Sequence, residues 1–214
     1  MRSVILLAFL LLVPLRAEIV DRIVAVVDGR VITWSAALAE ANYQAFQNGQ
    51  PPLEKLESEA LRKIVSQMVD QQLLEKEKED SPFSPPEEET QRRVSSAMEE
   101  IRKRFSNPEA YQKALTRYRL TESELTQHLK RESDMLAFID FRLRPQVRVA
   151  PEEMQAYYRD TLVPELRRRG QAEVPPLAQV RGQIEQILSQ QEINRLLEAW
   201  LKELHDRAKI KLLL

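Results

Sequence analysis

Side chains able to do chemistry are few in this sequence, and none is spaced as an active site requires. His128 and His205 are its two histidines, and both fall in segments with helical patterning and charged neighbours. A metal or acid–base site would need Cys or carboxylate groups at ligand spacing around them, and no such cluster occurs. No nucleophile lies beside a base. We therefore predict two exposed helix histidines and a protein that is not an enzyme, with no catalytic residue, no metal and no cofactor.

Charged clusters and glycines exclude further classes of site. Glu87–Glu89 and Arg167–Arg169 are short runs of one sign, which solvated helix ends and loops explain. The formal net charge is −1, so no electrostatic case exists for binding nucleic acid. The four glycines show no phosphate-loop spacing.

The first 17 residues predict export. A positive start at Met1-Arg2-Ser3 precedes an unbroken apolar run from Val4 to Val13, and small Ala17 follows as the residue before a cleavage site. The run is too short to span a bilayer, so we interpret residues 1–17 as a signal peptide; the alternative is a retained membrane-anchoring segment. The sequence contains no Cys, so its core must form without disulfides.

Strand-like sequence lies only near the two ends of the chain. Asp28-Gly29 separates two apolar alternations and predicts a β-hairpin, because both central positions of that turn favour positive φ. Ile210–Leu213 is the other strand-like stretch, with Ile210 and Leu212 predicted to face inward and Lys211 outward. Two short strand regions cannot each bury a face alone, so we predict that they pair and close one domain around a helical middle.

The middle of the chain is patterned as helices. Capping signals predict helices after Thr33 or Ser35, after Ser84 with Glu87, after Asn107-Pro108 and after Thr121 with Glu124. Apolar spacing predicts a long helix from about Leu53 to Lys78, with a buried stripe of Leu61, Ile64, Val65, Met68, Val69 and Leu73. The helix after Thr121 has its main stripe at Leu125, Leu129, Leu136, Ile139 and Leu143. Phe138, Phe141 and Met135 lie off that stripe, which indicates either a client groove or a helix buried on more than one side. Val147–Val149 is a possible third strand.

The last helix carries two apolar stripes on nearly opposite sides. The first consists of Val180, Ile184, Ile187 and Leu188, and the second of Ile193, Leu197, Trp200 and Leu204. The change falls at Ser189, so either the helix breaks there or one unbroken helix buries opposite faces in its two halves. In the second case the first stripe is offered to the helix around Met154–Tyr158, to a partner or to a client.

Three segments together resemble one family. Asp21–Thr33, Val147–Met154 with Tyr157-Tyr158, and Ile210–Leu213 are similar to the N-terminal core of the SurA family of periplasmic chaperones. The resemblance implies a mainly α fold, a SurA- and trigger-factor-like helical core with a small β-sheet formed by the N-terminal hairpin and the C-terminal strand. The core would span residues 18–150, and residues 177–214 would complete it with a helix and a strand.

The chain departs from that family in one region. A parvulin-type prolyl isomerase domain of roughly 90 residues would be expected after Tyr157-Tyr158. Residues 151–176 are far too few, and they contain neither His nor Cys. They predict a short helix and linker in place of the enzyme domain.

The resemblance then implies a periplasmic holdase for unfolded outer-membrane or secreted proteins, without isomerase activity. It implies unfolded polypeptides as partners, with no nucleic acid and no stable membrane insertion. The predicted client-binding residues are Met154, Tyr157, Tyr158, Ile184, Ile187 and Leu188. The alternative is a non-catalytic interaction subunit of an envelope complex with one fixed partner, because both functions need the same exposed apolar surface.

Overall fold

Both ends of the chain meet in one small sheet. The computed structural model describes residues 21–170 and 173–214, so the predicted signal peptide lies outside the described residues. The strands are β1 (Ile23–Val27), β2 (Arg30–Thr33) and β3 (Ile210–Leu212), and β1 pairs antiparallel with both of the others. The order β2-β1-β3 confirms the predicted mainly α fold closed by an N-terminal hairpin and a C-terminal strand.

The hairpin turn is fixed by one aspartate. Asp28 and Gly29 have φ values of 48° and 88°, as the predicted tight turn requires. The Asp28 N–H donates to the Lys209 carbonyl at 3.0 Å, and its carboxylate accepts from the Lys209 N–H at 2.8 Å. The Lys76 ammonium donates to the same carboxylate at 2.6 Å. The bonds that the carboxylate accepts, first that from Lys76 and then that from the Lys209 N–H, lower the pKa of Asp28. The two bonds with Lys209 join the turn to the C-terminal strand region.

Eight α-helices account for most of the described chain. They are α1 (Trp34–Gln47), α2 (Ser58–Glu79), α3 (Glu87–Lys103), α4 (Pro108–Arg117), α5 (Glu122–Leu143), α6 (Pro151–Tyr157), α7 (Val163–Arg168) and α8 (Leu177–Arg207). The predicted caps at Thr33, Asn107 and Thr121 are confirmed, and each side chain accepts from a helix N–H.

Two predicted helix starts are wrong. The α2 helix begins at Ser58 rather than near Leu53, because the Asn42 amide accepts from the Leu53 N–H at 2.8 Å and donates to its carbonyl at 2.9 Å. Both backbone groups are therefore satisfied outside a helix. The α3 helix begins at Glu87 with Pro86 at its N-cap and no side-chain cap, so the box expected from Ser84 does not form.

The core has two main apolar clusters that share α1 and α5. One packs the sheet against α1, α2, the C-terminal half of α5 and the second half of α8. The other packs the end of α1 against α3, α4 and the first half of α5. Phe138 is 1% exposed in the first cluster, whereas Leu136 is 63% exposed. The predicted stripe on α5 is thus wrong at Leu136, because Phe83 and Trp200 pack against Phe138 and turn that side of the helix inward.

The α8 helix is unbroken through Ser189 and buries opposite faces in its two halves. Its first half packs Val180 and Ile184 against Met154 of α6, while its second half places Trp200 in the core beside the sheet. Neither α8 nor any other helix of the described residues is long and apolar enough to cross a membrane.

Two predictions about extended segments disagree with the structure, one for Val147–Val149 and one for Leu212 of β3. Val147–Val149 form no strand, since the structure gives them no neighbouring strand to pair with. In β3, Ile210 packs against the core as predicted, but Leu212 is 56% exposed. Leu212 lies on an edge strand at the mouth of a cleft beside α2, where no helix covers it.

Candidate functional site

The two histidines lie on different helices with different carboxylate partners. His128 on α5 stacks on the Tyr43 ring with centroids 4.1 Å apart, and its Nδ1 lies 3.9 Å from Glu40. His205 on α8 lies 2.6 Å from a carboxylate oxygen of Asp70 on α2. Both are half-buried, so the prediction of exposed histidines is wrong. In the described part of the chain, no three His, Cys, Asp or Glu side chains cluster as metal ligands.

A groove opens between α1, α2 and α5, and we call it the methionine groove. It encloses about 600 Å³ and has an apolar floor of Met68, Met135 and Leu136. Ala36 and Ala39 line the α1 side, where their small side chains leave the groove wide. Exposed Leu136 and the half-buried methionines present an adaptable apolar surface, because Met side chains fit many partner shapes.

The rim of the methionine groove is polar and carries both signs of charge. It contains the acidic side chains Glu40, Glu75 and Glu132, the basic side chain Arg131, and His128. The Tyr43 hydroxyl beneath the rim donates to Glu132 at 2.8 Å and accepts from the Gln47 amide at 3.0 Å.

Partial desolvation between the helices shifts the pKa values of two groups of this rim. It raises the pKa of Glu132 and lowers the pKa of His128, and Arg131 lowers the His128 pKa further. Both shifts favour the neutral forms. The rim therefore offers hydrogen-bonding groups and charges of both signs, with carboxylates in excess, around an apolar floor, which suits apolar segments of varied sequence.

The six predicted client-binding residues lie together on α6, the turn that follows it and α8, but not all of them reach the surface. Met154 and Ile184 are 5% and 1% exposed and pack against each other's helix, so they form the core of this pair. Tyr157, Tyr158 and Leu188 are half-buried around them, and Ile187 is 40% exposed. Met154 and Ile184 are thus too buried for direct contact with a client in this arrangement, and client binding by Tyr157, Tyr158, Ile187 and Leu188 stays a prediction.

Tyr158 has a structural role in this region. Its hydroxyl donates to the Pro175 carbonyl at 2.9 Å and ties α6 to the start of α8. Between α5 and α8, the described residues form a 3-10 turn (Arg144–Gln146), α6, a π-helical turn (Tyr158–Leu162) and α7. They contain no sheet, so no parvulin-type domain occupies this position.

The three α5 residues that lie off its predicted apolar stripe, Phe138, Phe141 and Met135, have different surroundings in the structure. Phe138 is buried in the core, so α5 is buried on more than one side, while Met135 lines the methionine groove. Phe141 is 53% exposed and packs its ring 5.2 Å from Phe83, outside the groove.

The sequence pattern indicates Met135 as a possible groove residue but not the other two residues of the groove floor. Apolar spacing predicts Met68 and Leu136 in the buried stripes of α2 and α5, whereas the structure leaves Met68 half-buried and Leu136 exposed. The residues that could have indicated the groove are Ala36 and Ala39, because their small side chains leave space on one face of α1.

Comparison with known proteins places the chain in a family. The model of the SurA-like N-terminal domain matches residues 3–136, which is more than half of the chain and includes every residue that lines the methionine groove. No curated protein matches the sequence significantly. The chain therefore belongs to the SurA-like N-terminal domain family, a chaperone-type family.

Proposed function

We propose that the protein is a periplasmic holdase that binds apolar segments of unfolded outer-membrane or secreted proteins in the methionine groove. The observation that carries the proposal is the open apolar floor of Met68, Met135 and Leu136 within the part of the chain that defines the family. Such a floor would be costly to expose without a partner, since a buried side chain of this size contributes about 1.5–3 kcal/mol.

The rim supports a broad rather than a fixed specificity. Charges of both signs surround the floor, so no single complementary charge pattern is selected. A subunit with one fixed partner would instead bind a single folded protein. Export by residues 1–17 and the periplasmic location are parts of the same proposal and are tested by N-terminal sequencing of the periplasmic fraction.

Aggregation suppression with a denatured outer-membrane β-barrel protein tests the binding site. Leu136→Glu places a charge on the apolar floor, so we expect it to weaken suppression strongly while the chain stays folded, because Leu136 is 63% exposed. Phe141→Glu is the matched control, since it makes the same kind of change on the same helix outside the groove. Equal suppression by both variants would contradict the proposed site.

A prolyl isomerase assay tests the absence of catalysis. With a proline-limited peptide, we expect the uncatalysed isomerisation rate, because the described residues of 151–176 form only short helices and turns and no parvulin-type sheet. Clear acceleration by the purified chain would refute this part of the proposal.

A further inference from the structure

A second groove, beside the C-terminal end of α1, has a different chemical character. It encloses about 530 Å³ between the end of α1, the end of α3 and one face of α4. We call it the basic groove. Ala39 lines the methionine groove and Phe46 lines the basic groove. The two residues are seven positions apart on α1, so the basic groove lies about 10 Å further along that helix.

The floor of the basic groove is aromatic. Phe46 stacks with Phe105 at a centroid distance of 6.1 Å and meets the edge of Tyr118 at 5.4 Å. On α4, Tyr111 and Leu115 point into the core, which leaves Ala110 and Ala114 to line the groove. Their small side chains expose the rings behind them, and the enclosed volume is in the range of ligand pockets, about 300–1,000 Å³.

The rim of the basic groove carries positive charge only. Arg104, Lys113 and Arg117 line it, and no acidic side chain does. None of the three forms an ion pair with a carboxylate of residues 21–170 or 173–214.

Arg104 is already positioned for a ligand. Its Nη1 donates to the Gln47 carbonyl at 2.8 Å, which fixes the guanidinium at the groove's edge. An arginine has five N–H donors, so others stay available for a carboxylate. Fixing the side chain beforehand reduces the entropy that binding would cost.

We propose that the basic groove binds a short acidic segment of a partner protein that carries an aromatic side chain. The aromatic ring would stack against Phe105 and Tyr118, and flanking carboxylates would pair with Lys113, Arg117 and Arg104. A polyanion such as nucleic acid is not favoured, because the whole chain has a net charge of −1 and three cations form only a local patch. This site is separate from the proposed client site, whose rim has both signs.

Fluorescence anisotropy with a labelled synthetic peptide tests the proposal. The peptide contains one Trp between Asp and Glu residues, and control peptides replace the acids by Asn and Gln or the Trp by Ser. We expect Lys113→Glu with Arg117→Glu to weaken binding at least about tenfold. Ala114→Phe, which fills the floor without changing charge, should weaken it similarly.

Matched control variants distinguish peptide binding in the basic groove from an effect of net charge and from binding in the methionine groove. Lys63→Glu with Arg92→Glu makes the same charge change at exposed positions outside both grooves and should leave binding unchanged. Leu136→Glu should also leave it unchanged. Circular dichroism melts establish that each variant is folded.

Three results would overturn the proposal. Equal binding by the groove variants and the parent would show that the peptide lies elsewhere, and equal binding of all three peptides would show that neither acid nor ring is recognised. Binding of vesicles rich in anionic lipid that is lost in the groove variants, with no binding of the peptide, would assign the groove to a membrane surface instead.

Discussion

Trp200 is the side chain through which the last helix joins the core, and its truncation should be the most damaging single change in α8. The side chain is 8% exposed, and its ring lies 5.9 Å from that of Phe138. The Arg142 guanidinium lies 5.8 Å over the same ring. Trp200→Ala removes these contacts and leaves a large cavity, which typically costs about 3–5 kcal/mol of unfolding free energy.

The same loss can be expressed as a melting temperature. For a chain of this length, each kcal/mol changes the melting temperature by about 2–4 °C, so we expect a decrease of about 6–20 °C. Ile187→Ala on the same helix is the matched control, because Ile187 is 40% exposed and should change stability by less than about 1 kcal/mol. Thermal unfolding followed by far-UV circular dichroism measures both variants.

Two outcomes would refute the reasoning. If Trp200→Ala melts at the temperature of the Ile187→Ala control, α8 is not an integral part of the core. If the parent chain itself unfolds in two separate steps, the chain ends do not close one cooperative unit around the helices.

Three further predictions follow from the same contacts. Deleting residues 208–214 should lower the unfolding free energy by about 2–4 kcal/mol, because it removes the hydrogen bonds between β1 and β3 and the packing of Ile210. A truncated chain with the melting temperature of the parent would show that β3 does not close the core. Ile184→Ser should lower the unfolding free energy by about 3–5 kcal/mol, since Ile184 is 1% exposed, while Ile187→Ser should lower it little. Equal melting temperatures of the two variants would place Ile184 at the surface. Burial lowers the pKa of His128, so protonation opposes folding, and the stability of the parent relative to His128→Gln should fall as pH decreases below about 6.5; parallel pH profiles would contradict this.

The sequence predicted those parts of the fold that depend on local chemistry. Asp28-Gly29 indicates its turn because few other residue pairs adopt two successive positive φ values, and Thr121 with Glu124 indicates a helix start because both cap bonds lie within four residues. The helical phase of α8 likewise indicated two opposite buried faces. The structure adds that the first face packs on α6, which explains why Ile184 is core.

Features that depend on several distant segments could not be predicted in the same way. Whether Leu136 or Phe138 faces inward depends on Phe83 and Trp200, which reach α5 from other elements. The start of α2 depends on a side chain from α1, since Asn42 binds the Leu53 backbone. The methionine groove needs three helices to diverge at one point, and apolar periodicity within one helix contains no information about that gap.

The methionines of this chain allow a direct test of where an unfolded client binds. Met68 and Met135 line the methionine groove, whereas Met98 and Met154 are each 5% exposed in two other clusters. Methyl-labelled methionine NMR, with signals assigned by Met→Leu substitutions, therefore reports on the groove and on two internal controls in one spectrum. We predict that adding an unfolded β-barrel protein shifts or broadens the Met68 and Met135 signals and leaves those of Met98 and Met154 unchanged. A response at Met154 with none at Met68 and Met135 would contradict the account and move client binding to the α6–α8 pair.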